Sequence, residues 1–107
     1  MAAQPHILKP KGRLDSSTGP AFETEMLQLI NAGVARMLLD FSDLVYISSA
    51  GLRVVLLVAK RLRSANGHLA LCSLNPQIAE VFKISGFDAI LDIHPSSESA
   101  LARLAST

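Results

Sequence analysis

Apolar residues recur along the chain at two spacings, one typical of helices and one of strands. Phe22, Met26, Leu29 and Ile30 follow helical spacing, and a second helical stripe starts at Leu52. The pattern predicts long helices over 18–32 and 50–64, a shorter one from 76 and a final one that begins within 95–98. Short apolar runs predict strands over 6–9, 34–41, 68–74 and 90–93. Alternating strands and helices indicate βαβ units and therefore an α/β fold.

The chain is organised around residues 38–53, where a buried strand passes through a polar turn into the second long helix. Ser42 and Asp43 interrupt the apolar run, and Ser48 and Ser49 come at or beside the start of that helix. A helix N-terminus presents amide groups without intrahelical partners. A serine hydroxyl can cap it, and it also suits an added phosphate. The spacing alone leaves both interpretations open.

The second long helix has an apolar stripe and a largely polar face. The stripe predicted to face the core consists of Leu52, Val55, Leu56, Ala59 and Leu62. The opposite face collects Arg53, Leu57, Lys60 and Ser64. Leu57 therefore stands in a polar surface, either as an ordinary exposed leucine or as an anchor for a partner protein.

Length and composition restrict the class of protein. A chain of 107 residues with 50% hydrophobic content suits one domain with a real core. The net charge of +1 indicates no basic surface for binding nucleic acid. No stretch reaches the roughly 20 apolar residues needed to span a bilayer, and the single cysteine, Cys72, has no partner for a disulfide. We therefore expect a soluble cytoplasmic protein that contacts neither membrane nor nucleic acid.

The groups that an enzyme or cofactor site needs are scarce. His6, His68 and His94 are isolated from one another in sequence, so we expect no metal site. Ile47 occupies the first glycine position of the Gly-x-Ser-x-Gly pattern, which argues against a hydrolase. No nucleotide-binding glycine motif occurs, so we expect no cofactor. Acid or base chemistry at Asp15, Asp40 or Asp43 stays open, although turn and cap roles are simpler. The chain is predicted not to be an enzyme.

Four stretches together resemble a known family. The first runs from Asp40-Phe41-Ser42 through Tyr46-Ile47-Ser48-Ser49-Ala50-Gly51-Leu52-Arg53. The others are Gly12-Arg13-Leu14-Asp15, Gly67-His68-Leu69-Ala70-Leu71-Cys72 and Val81-Phe82-Lys83-Ile84-Ser85-Gly86-Phe87. In this order and spacing they resemble the STAS domain of bacterial anti-sigma factor antagonists, over residues 6–104. We therefore predict one STAS-like α/β domain with a mixed sheet of four to five strands and about four helices.

The resemblance implies a phosphorylation switch. In that family, the serine matching Ser49 accepts a phosphate from an anti-sigma factor that is also a serine kinase. The unmodified protein binds this kinase and frees a sigma factor, and a serine phosphatase of the PP2C type reverses the modification. Ser48 occupies a slot where the family usually has aspartate, and Ala50 one where serine or threonine is common. Ser48 is therefore a rival phosphorylation site.

The same resemblance indicates a partner-binding surface, with the Gly-x-Leu-Asp turn close to the serines. Its predicted residues are Asp15, Ser16, Ser48, Ser49, Leu52, Arg53 and Leu57. Asp15 can also cap the first helix. An alternative is a STAS module that binds a partner without being phosphorylated, in a scaffold or transport complex.

Overall fold

Four parallel strands form the main sheet of the protein, in a computed structural model that describes residues 4–106. In spatial order they are β1 (His6–Leu8), β3 (Arg36–Asp40), β5 (His68–Cys72) and β6 (Asp92–His94). Leu38 of β3 lies opposite Ala70 of β5, and both are fully buried. β3 is therefore an interior strand with side chains buried on both faces, as its continuous apolar run predicts.

Two further strands form a small parallel sheet of their own, β2 (Gly12–Leu14) with β4 (Leu44–Ile47). Each of them leads into a helix. The carboxyl ends of paired parallel strands lie at the same edge, so the residues after β2 and β4 become neighbours. A hydrogen bond of 3.0 Å from the Ser48 amide to the Leu14 carbonyl joins the two chain segments at that edge.

Within residues 4–106, four helices cover the sheet: α1 (Gly19–Asn31), α2 (Ser49–Ser64), α3 (Pro76–Ile84) and α4 (Ser97–Ala105). A single 3-10 turn, Phe87–Ala89, follows α3. Asn75 caps the N-terminus of α3, as the sequence predicts, because its side chain accepts a hydrogen bond of 2.8 Å from the Ile78 amide. Asn66 and Gly86, after α2 and α3, adopt the positive φ angles typical of helix ends.

The core has two parts, one on each face of the main sheet. The larger part packs α1, α2 and α3 around side chains such as Met26, Leu39, Val55 and Phe82. The smaller part packs α4 against the other face, with Leu38, Ala70, Cys72, Ala100 and Leu104. Alternation along β3 sends Leu39 to one part and Leu38 to the other. Val54 and Val58, outside the predicted stripe of α2, are also buried.

The predicted α/β fold with four helices in one domain is confirmed. One detail of the sheet prediction is wrong, because the pairings among the described strands are all parallel rather than mixed. The main sheet has four strands, within the predicted four to five, and the described residues add a separate sheet of two strands. The last strand begins at Asp92 instead of residue 90, because the 3-10 turn leaves Ile90 exposed before the chain re-enters the sheet.

Candidate functional site

Ser48 caps the N-terminus of α2. Its backbone is extended, and its hydroxyl oxygen accepts a hydrogen bond of 3.2 Å from the Gly51 amide. Its own amide donates to Leu14, and its carbonyl accepts from the Leu52 amide at 2.8 Å. The Ser48 side chain is also partly buried. The Ser48 hydroxyl oxygen therefore caps the first turn of α2.

Ser49, the first residue of α2, lies on the surface beside this cap. It opens onto a hollow of about 290 Å³. The hollow is lined by Ser49, Leu52, Arg53, Leu56, Ser85 and Phe87. The structure thus gives the two serines different surroundings, which spacing in the sequence could not distinguish. Ser85 and Phe87 were not among the predicted site residues, although the stretch containing them carries part of the family resemblance.

Gly51 lets β2 approach the first turn of α2 closely. A Cβ atom at this position would collide with the carbonyl oxygen of Leu14 and lie 3.0 Å from its Cγ. Leu14 also accepts the hydrogen bond from Ser48, so the end of β2 and the start of α2 are fixed against each other. This contact positions the Ser49 hydroxyl relative to the turn that follows β2.

Asp15 organises that turn. Its Oδ1 accepts hydrogen bonds from the Ser17 hydroxyl at 2.7 Å, the Ser17 amide at 3.0 Å and the Thr18 amide at 3.2 Å. Arg13 Nε donates to Oδ2 at 3.3 Å. These bonds, led by the one from the Ser17 hydroxyl, hold the pKa of the Asp15 carboxyl well below its usual value. Asp15 therefore organises the turn before α1 instead of capping that helix, because its hydrogen bonds go to amides that precede the helix and the N-cap residue is Thr18. Ser16 beside it is exposed.

The predicted binding residues on α2 differ in how much surface they offer. Leu52 is only 5% exposed and belongs to the core, so it reaches the surface only where it lines the hollow. Arg53 is exposed. Leu57, expected to be exposed, is half-buried. Of the three, Arg53 therefore presents the most accessible side chain beside Ser49.

β4 exposes two large side chains that the sequence analysis did not single out. Val45 is 63% and Tyr46 42% exposed, and the Arg13 guanidinium lies 4.3 Å from the centre of the Tyr46 ring. Such a distance is typical of a cation–π contact. Strict alternation would place Val45 on the same face as the buried Ile47 and Tyr46 on the same face as the buried Leu44, so the sequence pattern alone did not indicate that both side chains are exposed.

Although His68 and His94 are isolated from each other in sequence, the folded chain brings both to one carboxylate at the other edge of the main sheet. Asp92 Oδ2 lies 2.7 Å from His68 Nε2, and Asp92 Oδ1 lies 2.7 Å from His94 Nε2. Pairing of β5 with β6 brings these residues together. Burial raises the pKa of Asp92, but the His68 hydrogen bond and the charge of His94 outweigh it and lower the pKa. No group of three or more His, Cys, Asp or Glu residues within 4–106 is arranged to hold a metal ion.

The other two aspartates considered for acid or base chemistry have local partners. Asp40 Oδ1 accepts a hydrogen bond of 3.0 Å from the Ser42 amide, and Asp43 lies 3.9 Å from Lys9 Nζ. The Asp40 carboxylate therefore serves the turn between β3 and β4, whereas the Asp43 carboxylate makes an exposed ion pair with a lysine that follows β1. Across residues 4–106, no helix has the length and apolar character needed to cross a membrane.

Comparison with known proteins adds evidence on family. A profile of the STAS domain family matches residues 2–100 of the chain. A Bordetella bronchiseptica protein named as the anti-sigma factor antagonist BtrV is 48% identical over 92 residues, which cover 86% of this chain and 79% of that protein.

Solved structures show the same fold at lower identity. A Thermotoga maritima protein named as an anti-sigma factor antagonist has a TM-score of 0.92 at 24% identity, covering 98% of this chain and 91% of that one. SpoIIAA of Bacillus in its phosphorylated form has a TM-score of 0.72 at 22% identity, covering 94% and 90%. The unphosphorylated form of SpoIIAA has a TM-score of 0.76 at 20% identity, and the match covers 100% of this chain and 96% of that one.

Proposed function

Because the chain belongs to the STAS domain family of anti-sigma factor antagonists, we propose that it is a partner-switching protein controlled by phosphorylation of Ser49. The unmodified protein binds an anti-sigma factor that is also a serine kinase, and a sigma factor is thereby released for transcription. Phosphorylation of Ser49 ends this binding. A serine phosphatase of the PP2C type restores the binding form.

The observation that carries this proposal is the difference between the two serines. The Ser48 hydroxyl accepts the capping hydrogen bond of α2, whereas Ser49 is exposed at the mouth of a hollow. A kinase can therefore reach Ser49 without disturbing the cap. Modification of Ser48 would instead remove a capping interaction that typically contributes about 1 kcal/mol. Ser49 is accordingly the acceptor, and Ser48 is a structural residue.

Charge supplies the physical mechanism of release. A phosphate adds about −1.5 to −2 charges at neutral pH. At the N-terminus of α2 the helix dipole stabilises that charge by roughly 0.3–1 kcal/mol, so the fold tolerates it. A partner that covers the hollow would have to strip water from the phosphate, which costs several kcal/mol. Phosphorylation therefore blocks the surface without refolding the protein.

Mass spectrometry after incubation with the anti-sigma factor kinase of the same organism and ATP tests the acceptor. We expect the wild-type protein and Ser48→Ala to gain one phosphoryl group, and Ser49→Ala to gain none. Ser48→Ala is the matched control, because it removes the neighbouring hydroxyl. Phosphorylation that persists in Ser49→Ala and disappears in Ser48→Ala would contradict the assignment.

Binding of the same kinase to Ser49→Asp tests the switch. We expect the dissociation constant to rise about tenfold or more, because the carboxylate places a desolvated charge in the interface. Ser49→Asn, similar in size but neutral, should bind much more tightly than Ser49→Asp. Equal affinities of Ser49→Asp and Ser49→Asn would show that charge at this position does not control association.

A STAS module in a scaffold or transport complex is the alternative function. Such a module would bind its partner equally well before and after incubation with kinase and ATP. Since the exposed Ser49 hydroxyl has no role in that alternative, the phosphorylation switch is the better account of the site.

A further inference from the structure

One side of α2 borders a surface groove that continues well beyond Ser49. The hollow beside Ser49 shares Leu56 with a second hollow of about 140 Å³. The second hollow is lined by Leu56, Ala59, Lys60, Arg63, Ile90 and Leu91. We call the two together the α2 groove. It extends from Ser49 to Arg63, a distance of about 21 Å at 1.5 Å per helical residue.

The walls of the α2 groove are partly apolar and exposed. Leu52 and Leu91 are almost completely buried, but Ile90 is 58% exposed at the edge. Ile90 follows the 3-10 turn, which holds it outside the core. A large apolar side chain kept at the edge of a groove gains stabilisation when a partner covers it, since removing its surface from water is favourable.

The charged residues of the α2 groove have one sign. α2 contains four Lys or Arg residues and no Asp or Glu. Arg53, Lys60 and Arg63 line the groove, and among the described residues no carboxylate lines its two hollows. Asp92 lies in a neighbouring hollow that Arg63 also lines. None of the three cations makes an ion pair with any residue in the part of the chain that the structure describes. Since the whole chain has a net charge of only +1, this is a local concentration of free positive charge.

We propose that the α2 groove binds a segment of the anti-sigma factor that carries an apolar face flanked by Asp or Glu residues. This inference rests on the proposed function and extends its surface to the C-terminal half of α2. The apolar face would cover Leu56 and Ile90, and the carboxylates would pair with Lys60 and Arg63. Ser49 controls one end of this surface, while the cations steer the acidic segment towards the other end.

The electrostatic part of the proposal is tested by the binding kinetics of the unphosphorylated double variant Lys60→Glu/Arg63→Glu with the anti-sigma factor kinase. We expect the association rate constant to fall about tenfold at low ionic strength, with a smaller difference at high salt. Arg61→Glu/Lys83→Glu is the matched control, because it also reverses two exposed charges and neither residue lines the groove. Its association rate constant should change much less than that of the double variant.

Ile90→Asn tests the apolar part. We expect its complex to dissociate about tenfold faster than the wild-type complex, because the apolar contact that Ile90 makes with the partner is lost. Ile7→Asn, which changes a comparably exposed isoleucine (53%) on β1, should leave dissociation unchanged. Thermal melting of each variant verifies the fold, and Lys60→Ala and Arg63→Ala replace the double variant if it melts early.

The outcomes separate this inference from the proposed function. If the groove variants bind like their controls while Ser49→Asp still releases the kinase, the α2 groove is not the docking site but the switch stands. If the groove variants weaken binding and Ser49→Asp does not, the groove is supported and the switch fails. A wild-type protein that does not bind the kinase overturns both.

Discussion

At the scale of single residues, Gly51 determines how closely the start of α2 can approach β2. A methyl group at this position would meet the Leu14 carbonyl, which is itself held by the hydrogen bond from Ser48. The glycine is therefore needed for close backbone approach, whereas helix propensity alone would favour alanine.

We predict that Gly51→Ala lowers the free energy of unfolding by about 1–3 kcal/mol, because backbone atoms must move to admit the Cβ. Urea denaturation monitored by circular dichroism measures this change. Gly19→Ala is the control, since a Cβ there meets only Val54 Cγ2 at an ordinary 3.4 Å. Equal stabilities of the two variants would show that the Leu14 contact relaxes without cost.

At the scale of elements, the turn between β2 and α1 depends on one ionised carboxylate. Asp15 accepts bonds from Ser17 and Thr18, and these bonds lower its pKa below the unfolded value near 3.9. A group with a depressed folded pKa stabilises the protein above its unfolded pKa, and this stabilisation is lost as the pH falls. The turn that places Asp15 beside the serines should therefore weaken in acid.

We predict that Asp15→Asn melts at a lower temperature than the wild type at pH 7, and that the difference shrinks as the pH falls below about 4. Thermal melts between pH 7 and pH 2.5 measure it. Ser16→Ala, at an exposed neighbouring position, should match the wild type throughout. A difference that stays constant with pH would mean that the Asp15 charge is not responsible.

At the scale of the whole molecule, Asp92 links elements that meet only in the folded chain. It contacts His68 on β5, its neighbour His94 on β6, and Arg103 on α4, whose Nε lies 3.8 Å away. His94 Nδ1 also lies 2.8 Å from the Ser99 hydroxyl oxygen. This polar cluster fastens the last strand and last helix to the rest of the sheet.

We predict that Asp92→Asn lowers the free energy of unfolding at pH 7 by about 1–3 kcal/mol, because hydrogen bonds to a charged group are lost. Urea denaturation measures it, and hydrogen exchange should accelerate first in β6 and α4. Asp88→Asn, an exposed change on the nearby 3-10 turn, serves as the control. If both variants are as stable as the wild type, the cluster does not hold this edge together.

Much of the architecture follows from local properties of the sequence. The type and order of the elements could be predicted, because helical periodicity and helix boundaries depend on neighbouring residues. The Asn75 cap of α3 and the end of α2 at Ser64 are examples. Four stretches in family order, including the one from Asp40 to Arg53, also indicated the family, because the residues within each stretch are contiguous. The sequence thus sufficed for the α/β class, the start of α2 and the two candidate serines.

Contacts between distant segments required the folded structure. Parallel pairing into two sheets, the joining of His68 to Asp92 and the groove between α2 and Ile90 each depend on the register of strands far apart in sequence. The difference between Ser48 and Ser49 has the same origin, because Leu14 and Gly51 fix how the first turn of α2 faces solvent. Local patterns specify which elements form, and only packing specifies which atoms remain accessible to a partner.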